Sequence, residues 1–520
     1  MKIVIGAIRM PIVHTEQEVI DAAQEIVRRR CISATDFRIY KQSLDARRKS
    51  NIHYTYSVVA TVPEGTICDG KEIRPLSMDG ELEIPMGRKL ACRPVVVGTG
   101  PCGLFAAYLL AKSGNPPLVL ERGEDVDARA KTVERFWREG AFNPESNVQF
   151  GEGGAGTFSD GKLNTRISDP RQRFVLETFC RHGAPGDILY RAKPHIGTDK
   201  LRDVVRSMRE EIIALGGEVR FSACLTGIRE EDGHLCEIEV NHDEKIPCKQ
   251  LILAIGHSSR DTYEMLYGRG VSMEPKAFAA GVRVEHRQSM IDRLQYGRED
   301  LGLPAADYRL VYNGEEHSCY SFCMCPGGQV VNASSEDGRL VVNGMSEYRR
   351  DGENANSALV VSVRPEDFGG DGILAGMEFQ RKYEELAYHL GGGNGTAPVQ
   401  LTRDFVEDKP SQSLGEVTPS FTGKWRFAEL KKCLPEFIVK YLRLGLLDFE
   451  KKMPGFAFGD GILTGVEMRT SAPIRILRNE RLESVNLQGL YPAGEGAGYA
   501  GGIVSAAVDG IRAALAVLEK

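Results

Sequence analysis

The sequence predicts an α/β fold whose centre is a parallel sheet of the Rossmann type. Val95–Val97 is a wholly apolar strand of the kind that is buried between helices, and a glycine-rich turn and an Ala/Leu-rich helix follow it. A second apolar strand, Leu118–Leu120, completes a βαβ unit. Segments 251–255 and 489–493 look like further strands of the same layer. Strands that alternate with helices in this way are typical of a sheet that binds a dinucleotide.

The composition limits what the chain can be. It has 520 residues, of which 42% are hydrophobic, enough for a large core and more than one domain. The formal net charge is −6 with both signs interspersed, so no global field favours nucleic acid or an anionic membrane. The 12 cysteines lack the spacing of a disulfide scaffold, and we expect a cytoplasmic location. We expect no membrane span, because Asp509 and Arg512 interrupt the best candidate, 501–518.

We expect the chain to form three structural units, which are built from four consecutive segments. Residues 1–88 form a small N-terminal α/β module, and residues 89–265 form the first part of the dinucleotide-binding domain. Residues 266–459 show no clear period and are interpreted as an inserted substrate or cap domain of mixed α+β structure. Residues 460–520 return the chain to the first domain as its C-terminal part.

The N-terminal module has its own pattern of elements. Ile3 lies in an apolar strand, and Thr15 could cap a helix whose apolar residues recur at helical spacing. Segments 37–40 and 52–62 are rich in β-branched and aromatic residues and predict two further strands. The order strand, helix, strand, strand is compatible with a split βαβ unit.

A dinucleotide fingerprint follows the first strand of the parallel sheet. Gly98 permits the tight turn, Gly100 lets a pyrophosphate approach the backbone, and Gly103 allows close packing of helix and strand. Glu121 ends the second strand about 20 residues on, where an acid accepts hydrogen bonds from ribose hydroxyls. A glycine-rich turn without a ligand is the alternative. The predicted contacts of this part of the site are Gly98, Gly100, Pro101, Cys102, Gly103, Glu121 and Arg122.

The C-terminal segment favours FAD over NAD. Segment 490–498 resembles the second FAD motif of the glutathione-reductase-like flavoproteins, in which a strand ends in Gly-Asp and the acid binds the ribityl chain. Here Glu495 stands where Asp is usual, so its reach is one methylene longer. The helix that follows would point its N-terminus at the flavin N1/O2 edge and stabilise negative charge there. The predicted contacts are Gly494, Glu495, Gly501, Gly502 and Ile503.

Segment 151–162 is another glycine-rich stretch, placed after the ribose strand and a helix. We expect it to lie against the pyrophosphate, the ribityl chain and the isoalloxazine ring, where a positive group would tune the flavin potential. A mobile surface loop is the alternative. Its predicted contacts are Gly154, Gly156, Thr157, Ser159, Asp160, Gly161 and Lys162.

Two shorter segments support the same site. Val219 lies in the strand whose backbone usually contacts adenine. Ala254 and Gly256 belong to an Ala-Ile-Gly segment that resembles the Ala-Thr-Gly motif of the same superfamily. The sequence has no second GxGxxG motif, so it does not predict a built-in NAD(P)H domain.

From about residue 90 onward, the chain resembles a family of uncharacterised bacterial FAD-dependent dehydrogenases, also called NAD-utilising dehydrogenases. The resemblance is carried by GEGGAGTFSDGKL, AIGHSSRDT, GVRVEH, SFCMCPGG, NGMSEYRRDGENANSA, GVEMRTSAPIRI and GLYPAGEGAGYAGGI. The N-terminal module is similar to an extra domain of that family. The resemblance implies FAD and a two-domain architecture, but no substrate.

The catalytic residues are less clearly indicated. Arg283 and His286 lie on opposite faces of an apparent strand in the inserted domain. Cys323 and Cys325 could be a redox pair, a metal half-site or inert buried thiols, but no second CxxC or histidine cluster completes a metal site. In a regular strand, residues i and i+2 lie about 6.5–7 Å apart at Cα, at or beyond the disulfide limit. We therefore predict no metal and no catalytic disulfide, and the candidates are Lys162, Arg283, His286, Cys323 and Cys325.

Together these patterns predict an FAD-dependent oxidoreductase that transfers a hydride between flavin N5 and an unidentified small molecule. The electron partner stays open among transiently bound NAD(P)H, a quinone, oxygen and a protein. Two alternative functions stay open as well. Basic runs at 28–30 and 47–49 would let the N-terminal module grip RNA in an RNA-modifying flavoenzyme, although the overall charge disfavours nucleic acid. The FAD would be structural in a non-catalytic flavoprotein.

Overall fold

A computed structural model describes residues 1–68, 70–76, 82–165, 168–299 and 301–519. The N-terminal module contains β1 (Lys2–Met10), α1 (Glu16–Arg29), β2 (Thr35–Asp45), β3 (His53–Thr61) and β4 (Ile73–Pro75). The next segment contains β5 (Val95–Val97), α2 (Pro101–Lys112), β6 (Leu118–Leu120), α3 (Val126–Glu139), α4 (Arg171–Arg181), α5 (Thr198–Ala214), β7 (Glu218–Arg220), β8 (Leu225–Glu231), β9 (His234–Val240), β10 (Glu244–Pro247), β11 (Leu251–Leu253) and α6 (Arg260–Gly268).

The C-terminal half continues this order. It contains β12 (Met273–Pro275), β13 (Phe278–Arg287), α7 (Gln288–Tyr296), β14 (Val311–Asn313), β15 (Ser318–Cys325), β16 (Gln329–Asn332), β17 (Val342–Met345), β18 (Asn354–Val363), α8 (Ala375–Leu390), β19 (Ala397–Leu401), α9 (Thr402–Val406), β20 (Trp425–Phe427), α10 (Glu436–Lys452), β21 (Ile462–Glu467), β22 (Ile474–Ile476), β23 (Leu490–Pro492) and α11 (Ile503–Glu519). Within the described ranges, no helix combines the length and the hydropathy that a membrane crossing requires.

The N-terminal module is a four-stranded antiparallel sheet with the order β2-β3-β1-β4. Thr15 caps α1, as the sequence predicts: its hydroxyl accepts from the N–H of Glu18, and the Glu18 carboxylate accepts from the N–H of Thr15. The buried face of α1 packs on the sheet through Val19, Ala23 and Val27. The short strand β4 was not predicted from the sequence.

The central sheet confirms the predicted fold class. Its five strands are all parallel, in the order β23-β11-β5-β6-β7. Helices α2 and α11 pack closely together because Gly510 has no side chain: a Cβ there would lie 2.0 Å from the carbonyl oxygen of Cys102. The antiparallel hairpin sheet β8–β10, inserted between β7 and β11, was not predicted.

The inserted domain, called the cap domain below, is organised on a seven-stranded sheet with the order β14-β15-β18-β13-β21-β19-β20. Its central strands β13 and β18 pair along ten residues and are buried almost throughout. The sheet includes β21, which follows the predicted boundary at residue 459. Strands β12 and β22 pair where the chain enters and leaves the cap domain.

A buried cluster of charged residues joins the two domains. Glu384 on α8 pairs with Arg260 of α6 at 2.7 Å and with Arg469 at 2.6 Å. Arg260 also pairs with Glu336, which Arg381 contacts at 2.8 Å. Burial raises the pKa of Glu384, but the charges of Arg260 and Arg469 outweigh burial and lower it to about 2. Glu384 is therefore ionised at neutral pH and ties the cap domain to the central sheet.

Candidate functional site

A cavity of about 380 Å³ lies at the carboxyl ends of the parallel strands, where open α/β sheets bind their ligands. Residues of the cap domain form part of its wall, so the two domains share it. Of the predicted cofactor contacts, the following line the cavity: Gly98, Gly100, Pro101, Cys102, Glu121, Arg122, Gly154, Gly156, Ser159, Asp160, Gly161, Lys162, Ala254, Gly256, Glu495, Gly501, Gly502 and Ile503.

The fingerprint turn leaves no room for larger residues at two positions. Gly98 has φ +96°, and a Cβ there would lie 2.3 Å from the carbonyl oxygen of Ala254. A Cβ at Gly103 would lie 1.9 Å from the carbonyl oxygen of Gly98. Gly103 does not line the cavity. Its position therefore suits the predicted role in helix–strand packing but not the predicted contact with the cofactor. A Cβ at Gly100 would meet only the Cα of Gly154, at an ordinary contact distance of 3.8 Å.

The cavity is open at three glycines of the predicted cofactor motifs. At Gly256, Gly501 and Gly502, no described atom lies within 4 Å of the position that a Cβ would take. The last two precede Ile503, so the N-terminus of α11 opens onto this space. The open positions and the helix N-terminus fit an anionic group, such as the pyrophosphate of FAD or the N1/O2 edge of a reduced flavin.

Arg129 on α3 holds the glycine-rich loop in shape. Its fully buried guanidinium donates to five main-chain carbonyls between residues 147 and 154, at 2.7–3.2 Å. Burial lowers the pKa of Arg129 to about 10, which leaves the group charged at neutral pH. Sequence reasoning missed this residue. The signal was an arginine within the apolar stripe of α3, between the buried residues Val126 and Val133.

Glu121 joins the turn, the strand and the loop. One carboxylate oxygen accepts from the N–H and the hydroxyl of Thr99 at 2.9 and 2.6 Å. The other accepts from the N–H groups of Gly123 and Gly151, both at 3.0 Å. A carboxylate can accept about four hydrogen bonds, so these four protein donors already use the acceptor positions of the Glu121 carboxylate. Glu121 lines the cavity, and its contact with a ribose stays a prediction.

The predicted adenine strand lies outside the cavity. Val219 is the middle residue of β7 and packs on the hydrophobic core, because only the carboxyl end of a parallel strand borders the crevice. Segment 223–225, which follows β7, lines the cavity instead. Near it, the guanidinium of Arg122 lies 4.1 Å from the centre of the Phe150 ring, and both line the cavity.

Helix α11 holds the turn that presents Glu495. Asp509 accepts a hydrogen bond from the N–H of Gly494 at 2.7 Å. Gly494 itself does not line the cavity; it packs on α2, where a Cβ would lie 2.8 Å from that of Cys102. The Glu495 carboxylate lies 3.5 Å from Nδ1 of His257, which also lines the cavity. The sequence motifs did not single out His257.

Lys162 and Asp160 belong to a cluster on the cap side of the cavity. Lys162 Nζ lies 3.0 Å from Asp160 and donates to the carbonyl of Met324. Arg350 and the hydroxyl of Ser346 also donate to Asp160. Burial raises the pKa of Asp160, but Lys162 and Arg350 outweigh burial and hold it well below its ordinary value. Burial lowers the pKa of Lys162, but Asp160 raises it above its ordinary value, so both groups are charged at neutral pH.

Two catalytic candidates lie outside the cavity. Arg283 is fully buried behind its wall, where it pairs with Glu467 at 3.1 Å and donates to the carbonyl of Cys323 at 2.7 Å. His286 points to the other face of the sheet, and its Nε2 donates to the carbonyl of Phe456 at 2.8 Å. Burial lowers the pKa of His286 to about 4. Neither side chain lines the cavity.

The strand that carries Cys323 and Cys325 is not regular. Its pairing with β18 shifts register between Phe322 and Cys325, and Cys323 has φ +47°. Cys323 is exposed and lines the cavity, whereas Cys325 is buried and donates to the Cys323 carbonyl at 3.3 Å. The regular-strand spacing assumed from the sequence is therefore wrong here. Both thiols are free, and burial raises the pKa of Cys325 to about 11.

Thr157 supports the glycine-rich loop from below. It lies in a short 3₁₀ helix, Gly154–Phe158, and is buried. Its hydroxyl donates to the carbonyl of Glu152 at 3.3 Å, and its own carbonyl accepts from the hydroxyl of Thr198. Thr157 therefore does not line the cavity, contrary to the predicted contact.

Three family models match the chain. Residues 277–470 match "FAD-dependent protein, C-terminal domain-like", which covers most of the cap domain. Residues 96–160 match an NAD(P)-binding Rossmann-like domain, and residues 2–61 match a domain of unknown function.

Solved structures show distant similarity only. A glycine oxidase from Geobacillus kaustophilus is 11% identical, with 82% of this chain and 95% of that chain covered and a TM-score of 0.36. CtdE in complex with FAD is 12% identical, with 81% of this chain and 83% of that chain covered and a TM-score of 0.31.

A sequence relative is much closer. An uncharacterized protein of Clostridium beijerinckii is 56% identical over 491 residues, which is 93% of this chain and 92% of that protein. Because the match covers 93% of the chain, it reaches into the N-terminal module, the parallel-sheet domain and the cap domain. The chain therefore belongs to the same family as the clostridial protein, and it is an FAD-dependent protein with a Rossmann-like domain.

Proposed function

We propose that this protein is an oxidoreductase in which FAD exchanges a hydride at N5 with a small molecule bound beneath the cap domain. The shared cavity is the observation that carries the proposal. The fingerprint turn and Glu121 lie on the parallel-sheet side, whereas Phe322, Cys323 and Asn343 contribute the cap side. A dinucleotide held at the turn would therefore extend toward residues of the cap domain, where a substrate has side chains to contact.

The residues of the chain would orient the ligands and keep water out. Lys162 keeps a positive charge on the cap side of the cavity. This charge stabilises whichever form of the bound ligands, before or after hydride transfer, carries more negative charge there. Glu495 and His257 form a polar pair on the parallel-sheet side. The buried cluster around Glu384 holds the cap domain over the cavity, which limits the access of water.

The RNA-modifying alternative finds less support. Both basic runs of the N-terminal module are partly paired within the module: Arg28 and Arg29 with Glu25, and Arg47 with Asp45. These internal pairs reduce the charge that remains for phosphate groups. An RNA-binding role would instead require binding that weakens steeply as the salt concentration rises.

Anaerobic stopped-flow spectroscopy tests the proposal. The FAD-loaded protein is mixed with NADH or NADPH, and the reduced protein is then mixed with oxygen or a soluble quinone. We expect one donor to bleach the flavin absorbance and one acceptor to restore it within seconds. A protein that retains FAD, yet is not reduced by any donor in a broad screen of nicotinamides and organic acids, would be a non-catalytic flavoprotein.

A further inference from the structure

The cap side of the cavity holds more positive than negative charge. Lys162 and Arg350 share a single carboxylate: Lys162 Nζ lies 3.0 Å from one oxygen of Asp160, and Arg350 Nε donates to the other at 2.9 Å. Among the residues that the structure describes, no other acid lies within ion-pair distance of either cation. One negative charge therefore faces two positive charges.

The neighbouring charged groups do not remove this excess. Arg283 and Glu467 pair with each other at 3.1 Å, and their charges cancel. Glu495 lies on the parallel-sheet side, 3.5 Å from His257, and is not within ion-pair distance of Lys162 or Arg350. The excess positive charge thus stays with the cluster of Lys162, Asp160 and Arg350.

Hydrogen-bond donors accompany this charge. An ammonium group has three N–H donors, and Lys162 directs two of them to Asp160 and to the carbonyl of Met324. Its side chain is 30% exposed and lines the cavity, so the third donor is available there. Asn343 also lines the cavity; its Oδ1 accepts from Gly344 at 2.8 Å, which leaves its NH₂ group as a donor. Asn164, which is exposed, adds a second amide.

We propose that this corner binds the carboxylate of the substrate, which would make the substrate a small organic acid. The inference rests on the proposed function and specifies its substrate class. A carboxylate accepts hydrogen bonds and donates none, which suits the amide and ammonium donors. Its single negative charge matches the single excess positive charge, whereas a phosphate dianion would leave one charge uncompensated.

Ligand titration of the oxidised, FAD-loaded protein tests this inference without turnover. Benzoate is the probe, because its ring perturbs the absorbance of a nearby flavin; benzamide and phenyl phosphate are its neutral and dianionic counterparts. We expect benzoate to give a saturable difference spectrum and to bind at least tenfold more tightly than either counterpart. Equal affinity for benzoate and benzamide, or no binding of benzoate, would overturn the inference even if no variant folds.

Two variants locate the charge that matters. Lys162→Met should weaken benzoate binding at least tenfold. The matched control is Lys193→Met, which removes the same charge at a site that is 66% exposed and paired with Asp307, and which should bind benzoate like the parent protein. If Lys162→Met changes the flavin midpoint potential but leaves benzoate affinity unchanged, Lys162 serves the flavin and the inference is wrong.

The two proposals can fail separately. A protein that is reduced and re-oxidised by small molecules, yet does not discriminate benzoate from benzamide, refutes the carboxylate site alone. A protein that binds benzoate through Lys162, yet is reduced by no donor, supports the carboxylate site and refutes the oxidoreductase function.

Discussion

Arg129 donates a hydrogen bond to the carbonyl of Gly154 at 2.9 Å and thereby fixes the loop that faces the fingerprint turn. A Cβ on Gly154 would lie 3.1 Å from the Cα of Gly100, so loop and turn approach each other at backbone distance. The wall of the cavity thus depends on a side chain from a helix that does not itself line it.

Replacement of this arginine should therefore damage both the site and the fold. Arg129→Met removes five hydrogen bonds to main-chain carbonyls. The carbonyls of Gly151 and Glu152 keep a second donor, the N–H of Gly154 and the hydroxyl of Thr157, whereas the other three lose the donor that Arg129 supplies. Each unsatisfied buried group costs about 1–3 kcal/mol, so we expect the stability to fall by at least about 3 kcal/mol and FAD to be lost. Urea unfolding and the flavin content after gel filtration measure the two effects. Arg135→Met, an exposed position of the same helix, should change neither, and a stable Arg129→Met protein with full flavin content would contradict the prediction.

Gly100→Val should separate cofactor binding from folding. Its Cβ would meet only the Cα of Gly154 at 3.8 Å, so the protein tolerates the added carbon, but the methyl groups would occupy the space predicted for the pyrophosphate. We expect a folded protein without FAD. Circular dichroism and flavin content provide the measurement, and Gly186→Val, where no described atom lies within 4 Å of the new Cβ, is the control. Full flavin content would show that the pyrophosphate lies elsewhere.

Glu495→Gln tests the predicted contact with the ribityl chain. The substitution removes a negative charge beside His257 but keeps the length of the side chain. We expect the variant to retain part of its FAD and to show a shifted midpoint potential or flavin spectrum. Redox titration against reference dyes measures the shift, with the exposed Glu480→Gln as a charge-matched control. If potential and spectrum are unchanged, Glu495 plays no part in cofactor binding.

The pair of Cys323 and Cys325 should be dispensable for electron transfer. Burial raises the pKa of Cys325 to about 11, so it is a neutral thiol at physiological pH, and only thiolates attack disulfides rapidly. The double variant Cys323→Ser/Cys325→Ser should hold FAD and retain most of its turnover once a substrate is known. A variant that is reduced normally but cannot turn over would identify the cysteines as a second redox centre.

Glu384 should make stability depend on pH in the acid range. Its pKa is about 2 in the folded protein, below the ordinary value of 4.5, so its contribution is complete above pH 4.5 and is lost as the pH falls toward 2. Glu384→Gln should lower the stability at neutral pH by about 3 kcal/mol and flatten this acid-side dependence. Urea unfolding at several pH values measures both, with the adjacent, exposed Glu385→Gln as the control. Parallel pH profiles for Glu384→Gln and the parent protein would contradict the assignment.

The sequence by itself was sufficient to predict most of the residues that line the parallel-sheet side of the cavity. Gly98, Gly100 and Glu121 could be assigned because a strand, a tight turn and a helix place them by local geometry alone. Glu495 could be placed for the same reason, since its turn directly follows a buried strand. Val219 could not be placed in this way, because it precedes the carboxyl end of its strand and only that end of a parallel strand borders the crevice.

Only the tertiary structure decided which polar groups of distant segments meet at the cavity. Asp160 and Arg350 are 190 positions apart, and Arg260 and Glu384 are 124 positions apart, so no sequence spacing predicts either pair. Strand alternation predicted that Arg283 and His286 lie on opposite faces, but only the structure showed that both are buried and lie outside the cavity. The physical reason is that a buried charge must find its partner wherever packing brings one, whereas a turn or a helix cap is determined by its immediate neighbours.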